Sequence, residues 1–137
     1  MTGLIMENGL SAILQHITNK DNAAEDLKLG LFQNNVTPAL SDVIGTYTAA
    51  TFTGYSAITL TGASWGITLG DPVLLAYAQQ TFTSSADQTP QSIYGYYIFR
   101  SATLDIVGAE KFSVAQTVQF NGDTIKITPR IYLQNAP

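Results

Sequence analysis

The chain has 137 residues, 45% of them hydrophobic, which is the size of one domain and enough to bury a core without a metal or a disulfide. Its formal net charge is −4, and its six Lys and Arg are scattered along the chain, which excludes nucleic-acid binding through a clustered basic face. The absence of cysteine excludes disulfides, thiolate zinc sites and a Cys nucleophile.

Charged residues make up only 12% of the chain, and Thr, Ser, Gln, Asn and Gly supply the polarity instead. A neutral polar surface costs little to desolvate when another protein covers it. Thr also fits a pleated strand for its own sake. Met1 to Met6 is apolar, but no basic residue precedes it and Glu7 interrupts it, so it does not read as a secretory signal. No run approaches the roughly 18 apolar residues of a membrane span.

In chain order, Leu10, Ile13, Leu14 and Ile17 recur at i, i+3, i+4 and i+7 and predict one short N-terminal α-helix with an apolar stripe. Asn8 is the candidate N-cap. So short a helix is marginal alone, so its stripe needs a partner surface, in its own domain or a neighbouring subunit. The division is a helical arm over residues 1–22 and a β domain over residues 23–137.

From Leu27 the period shortens to two. Leu27, Leu29 and Leu31 alternate with Lys28 and Gly30, and residues 34–42 form a loop around Pro38. Short strands separated by glycine turns follow, with Ile58 and Leu60 facing one way. A longer strand is expected over Val73–Phe82, then a polar loop to Pro90. Ser92–Arg100 is apolar or aromatic on both faces: Ile93, Gly95, Tyr97 and Phe99 on one, Tyr94, Tyr96 and Ile98 on the other. Such a strand lies at the centre of a sandwich or at a subunit interface. Phe112–Phe120 and Ile125–Leu133 are period-2 runs joined by Asn121-Gly122, which predicts a hairpin with a type I′ turn. Pro129 marks an edge or a bulge in its second strand. About eight short strands at this spacing predict a mainly β chain, a single antiparallel β-sandwich or jelly-roll-like domain.

The catalytic inventory is thin. His16 is the single histidine and lies on the polar side of the predicted helix. Asp42, Asp71, Asp87 and Asp123 sit beside turn-forming residues, where Asp serves local hydrogen bonds. Asp105 reads as the wet face of a short strand, and Glu110, next to Lys111, as solvated. None forms a convincing pair across a cleft, so neither an enzyme nor a cofactor or metal site is expected. Tyr94, Tyr96 and Ile98 are the interface candidates on the β domain, and Leu10, Ile13, Leu14 and Ile17 on the arm. The remaining aromatics read mainly as packing, with a sugar-binding groove as the minor alternative.

Four segments, LKLGLFQNNVTP (27–38), FTGYSAITL (52–60), QSIYGYYIFR (91–100) and NGDTIKITPRIYL (121–133), together resemble small virion structural proteins of tailed bacteriophages. By size, the resemblance implies a non-enzymatic head decoration (cement) protein. Such a protein would assemble in the host cytoplasm and bind the major capsid protein as a dimer or trimer, with residues 1–20 as a reaching arm. The charge distribution and the lack of a long apolar run lead to no expected nucleic-acid or membrane partner. A neck, tail or fibre component of the virion is one alternative, and a carbohydrate-binding host-attachment module is another.

Overall fold

The structure, a computed structural model, describes residues 4–9 and 25–133. Ten strands fall within them: β1 (Leu4–Ile5), β2 (Leu27–Phe32), β3 (Ile58–Leu60), β4 (Gly66–Thr68), β5 (Val73–Ala76), β6 (Gln80–Thr83), β7 (Gln91–Arg100), β8 (Ile106–Val118), β9 (Thr124–Ile127) and β10 (Arg130–Leu133). Every strand pairing among the described residues is antiparallel. One sheet has the order β1-β8-β7-β2-β3, a second β10-β5-β4, and β6 pairs with β9 alone. The chain is mainly β and sandwich-like, as its periodicity predicts.

The period-2 pattern of β2 shows how the layers form. Leu29 and Leu31 are fully buried in a cluster with Ile93, Tyr96 and Ile98 of β7 and with Phe82, Ile125, Ile127 and Ile131 from the smaller sheets. Phe32, one residue on, points to the opposite face. It joins a second cluster with Tyr97, Phe99, Ile106, Tyr47 and Met6. Strand β7 is therefore covered on both sides, the sandwich-centre alternative of the sequence reading. Each large side chain so buried contributes about 1.5–3 kcal/mol.

The alternation along β7 changes phase. Ile93 sits with Tyr96 and Ile98, whereas Tyr94 packs against the Tyr97 and Phe99 cluster. The cause is an irregularity in the β7–β8 ladder, where the register moves from Ile93↔Gln116 to Gly95↔Lys111. Three extra residues on β8 are absorbed there, and a strand crossing such a bulge exchanges its faces.

Asn121-Gly122 forms a turn but not a hairpin. The Asp123 N–H bonds the Phe120 carbonyl at 3.0 Å, and φ is positive at Gly122 and not at Asn121. That is the pattern of a type II turn, whereas type I′ requires both central residues left-handed. The Asp123 carboxylate accepts the Gln119 and Phe120 N–H groups at 2.9 and 2.8 Å, and Asp87 accepts the Asn121 N–H at 2.8 Å. These bonds turn the chain out of the five-stranded sheet, so β9 pairs with β6 and not with β8.

Two expected long strands are each divided. Val73–Phe82 becomes β5 and β6, and the run after Asp123 becomes β9 and β10, broken at Thr128-Pro129. The breaks coincide: β5 pairs with β10 and β6 with β9, while the Tyr77 N–H bonds the Pro129 carbonyl at 3.0 Å between them. The result is one bent two-stranded ribbon, its bend set where Pro129 cannot donate to a ladder. Asp105 lies in the turn before β8 rather than on a strand face, bonded by the Thr103 hydroxyl at 2.8 Å.

At the N-terminus, Leu4–Ile5 adds a strand to β8, with Leu4 opposite Ala109. The Met6 and Glu7 N–H groups bond the Val107 and Leu40 carbonyls, and Met6 is fully buried. Residues 7–9 are already helical, so Asn8 lies within the first turn and does not cap it.

Candidate functional site

Leu10, Ile13, Leu14 and Ile17, together with His16, lie outside the described residues. The three candidates on β7 separate. Ile98 is only 1% exposed and belongs to the chain's own core. Tyr94 is half-buried against the second cluster. Tyr96 is buried but reaches a cleft, where its hydroxyl donates to the Glu110 carboxylate at 2.8 Å. Burial, and then this bond to Glu110, push the Tyr96 hydroxyl far above its ordinary pKa, so it stays a proton donor.

The cleft has a volume of about 270 Å³ and is walled by Tyr96 of β7, Glu110 and Phe112 of β8, Lys126 of β9, and Arg130 and Tyr132 of β10. Three strand periodicities build it. Glu110 and Phe112 share a face of β8 at i and i+2, and Arg130 and Tyr132 do the same on β10. Lys126 alternates with the buried Ile125 and Ile127. The sequence did not bring these β8–β10 residues together: Glu110 read as solvated, Phe112 as the apolar row of a strand, and Tyr132 as one of the aromatics read mainly as packing. The available signal was the repeated charged-x-aromatic spacing, Glu110-x-Phe112 and Arg130-x-Tyr132.

The second feature is the outer edge of β4, which is unpaired among the described residues. Cross-strand partners lie on one face of a sheet, and one such row runs Ile131–Leu75–Ile67 from β10 across β5 to β4. Ile131 is 6% exposed and packs in the core, Leu75 is half-buried, and Ile67 is 65% exposed. The row starts in the core and overruns it. Leu69, at the tip of the β4–β5 hairpin, is 85% exposed. Residues 66–69 carry neither a charge nor a proline, the usual devices that blunt an edge strand.

Asp42, Asp26 and Glu25 are each held by neighbouring donors. Asp42 accepts the Tyr47 hydroxyl at 2.7 Å and the Ala39 N–H at 2.8 Å, and Asp26 accepts the Gly62 N–H at 2.8 Å. Glu25 takes Arg100 at 2.7 Å and the Ala102 N–H at 2.7 Å. Burial pushes the Glu25 carboxyl up, but the Ala102 N–H, the Ser101 hydroxyl and Arg100 outweigh it and hold the group below its ordinary value. The aromatics are largely engaged with one another: Phe32, Tyr47, Tyr97 and Phe99 form a run of rings with centroids 5.0–5.4 Å apart, and Trp65 meets Tyr77 edge-on at 5.2 Å. Among the described residues no group of three or more acidic or histidine side chains is placed to hold a metal, and no helix is long and apolar enough to cross a membrane. No protein-family model, curated protein or solved structure matches the chain.

Proposed function

We propose that this chain is a non-enzymatic binding protein that docks on other proteins through the free β4 edge, and that it serves as a structural component of a tailed-phage particle, a capsid decoration protein that binds the major capsid protein. The observation that carries the docking reading is Ile67, an inner-face side chain 65% exposed on an uncharged strand whose outer edge no described residue pairs. A partner strand laid along β4 would satisfy its free backbone groups and cover Ile67 and Leu69 together. The Asp123 carboxylate supports the non-enzymatic part, since a group fixed to two backbone N–H donors is a poor general base. The place on the particle rests on the resemblance of the 27–38, 52–60, 91–100 and 121–133 segments. Binding the mature shell more tightly than its precursor would stabilise the head by mass action, with no turnover.

The test mixes the purified chain with phage heads stripped of it and images them by electron microscopy. Density at regular lattice positions is the expected result. Density confined to a portal or tail moves the protein to the neck, tail or fibre. Bare particles, together with a positive glycan screen, would replace this reading with a host-attachment module.

A further inference from the structure

The cleft walled by β7, β8, β9 and β10 gathers two cations around one carboxylate. Of its charged groups, Glu110 is already bonded by the buried Tyr96 hydroxyl at 2.8 Å. Lys126 and Arg130 both line the cleft, and neither makes an ion pair among the described residues. Arg100 differs in kind, being paired with Glu25 at 2.7 Å and facing Asp105 at 3.8 Å. In a chain of net charge −4 with six Lys and Arg, two of the six meet in one recess.

Glu110 offsets one of the two cations, so covering this recess with a neutral surface would strip water from a net positive charge and return no further carboxylate, which opposes binding. A carboxylate answers both, and an arginine fork suits it geometrically. Phe112 and Tyr132 add an apolar wall for a short aliphatic stem. At about 270 Å³ the cleft falls below the roughly 300–1,000 Å³ of ordinary small-molecule pockets, so it fits one residue-sized group rather than an extended glycan. Position links it to the docking edge. Arg130 lies opposite Ala76, and Ala76 opposite Gly66, so the cleft wall is two strand spacings, about 10 Å, from β4, on the face of the sheet opposite Ile67, where the alternate side chains of a strand laid along β4 would point.

We propose that the cleft is a socket for an acidic side chain of the protein partner, its carboxylate held by Arg130 and Lys126 and its stem against Phe112 and Tyr132. This inference rests on the docking reading above and adds the chemistry of the partner.

The experiment compares the full-length chain with a K126Q/R130Q variant and a charge-keeping K126R/R130K variant in binding to stripped particles. Both positions are exposed, and a retained backbone NMR spectrum confirms the fold of each variant. The neutral variant is expected to bind at least about tenfold more weakly, and the charge-keeping variant to recover most of that loss. A blocked Gly-Glu-Gly peptide, titrated at millimolar concentration, should shift the Glu110, Arg130 and Tyr132 amide signals to saturation, while Gly-Gln-Gly leaves them in place. Unchanged particle binding by the neutral variant overturns the socket and leaves the docking edge standing. Failure of the unaltered chain to bind particles overturns the docking reading instead. Saturation by glucuronate with no response to the glutamate peptide overturns the protein occupant and assigns the cleft to an acidic sugar.

Discussion

Two glycines and two rings set the register between β2 and β7. Gly30 lies opposite Tyr97, and Phe32 opposite Gly95, so each strand supplies one glycine and one ring. A Cβ at Gly30 would meet the Tyr97 ring at 2.7 Å, and one at Gly95 the Glu110 carbonyl oxygen at 2.2 Å and the Phe32 ring at 2.5 Å. A ring can tilt and a ladder carbonyl cannot. Gly95→Ala is therefore expected to lower unfolding stability by about 3 kcal/mol or more, above the ~1–3 kcal/mol usual for overpacking, and Gly30→Ala by an amount within that range. Urea denaturation of the two variants decides it, and equal losses would show that the ring, not the backbone, is the obstacle. The Asn121-Gly122 turn offers a second comparison. Asn121 has no left-handed φ, so Asn121→Ala should change stability by less than about 0.5 kcal/mol. Gly122, at φ +91, should lose about 1–2 kcal/mol on substitution by Ala. A large loss at both positions would instead indicate the type I′ geometry.

At the scale of the element, the free edge of β4 separates binding from folding. Ile67 is 65% exposed, so Ile67→Lys should leave thermal stability nearly unchanged, within about 0.5 kcal/mol, while placing a charge where a partner strand must lie. Particle binding is expected to fall at least about tenfold, and unaltered binding would remove β4 from the interface. The elements also differ in how readable they were. The alternation of Leu27, Leu29 and Leu31 and the doubly apolar run of β7 were legible, because burial on one or two faces writes itself into local periodicity. The bent ribbon was not. Its two breaks are set by each other, at residues 77–79 and 128–129, some fifty positions apart in the chain. The hairpin expected at Asn121-Gly122 failed for a related reason: Asp87 and Ser84, distant in sequence, take the donors and acceptors of that turn. The cleft left only the weak charged-x-aromatic repeat as a signal, because β7, β8, β9 and β10 each give it one or two residues at spacings ordinary for any strand.

For the molecule as a whole, titratable groups bound the pH range of stability. The Glu25 carboxyl is held below its ordinary value by the net effect of its hydrogen bonds over burial, and the Asp123 carboxyl by the Phe120 and Gln119 N–H groups. Both favour the fold at pH above the ordinary carboxylate range, and that support fades as the pH falls through it. Glu25→Gln and Asp123→Asn together should flatten the acid limb of a stability–pH curve. At the alkaline end, burial raises Tyr47, Tyr55, Tyr96 and Tyr97, the last up to about 12. An unfolded chain gives up those protons near pH 10, so the fold keeps their full contribution below that and loses it as the pH climbs. Of seven tyrosines, four are expected to stay protonated until the protein unfolds, giving a late, cooperative rise in phenolate absorbance. A smooth titration of all seven near pH 10 with the strand signal intact would contradict that burial.

The crossed Gly30–Tyr97 and Phe32–Gly95 pairs also constrain descent. A lineage that enlarges Gly30 must displace the Tyr97 ring, and one that shrinks a ring leaves a void over bare backbone. Gly30 and Tyr97 should therefore drift as a couple, swapping small for large across the strands, whereas Gly95, set against the Glu110 carbonyl, should stay glycine whatever ring stands opposite it.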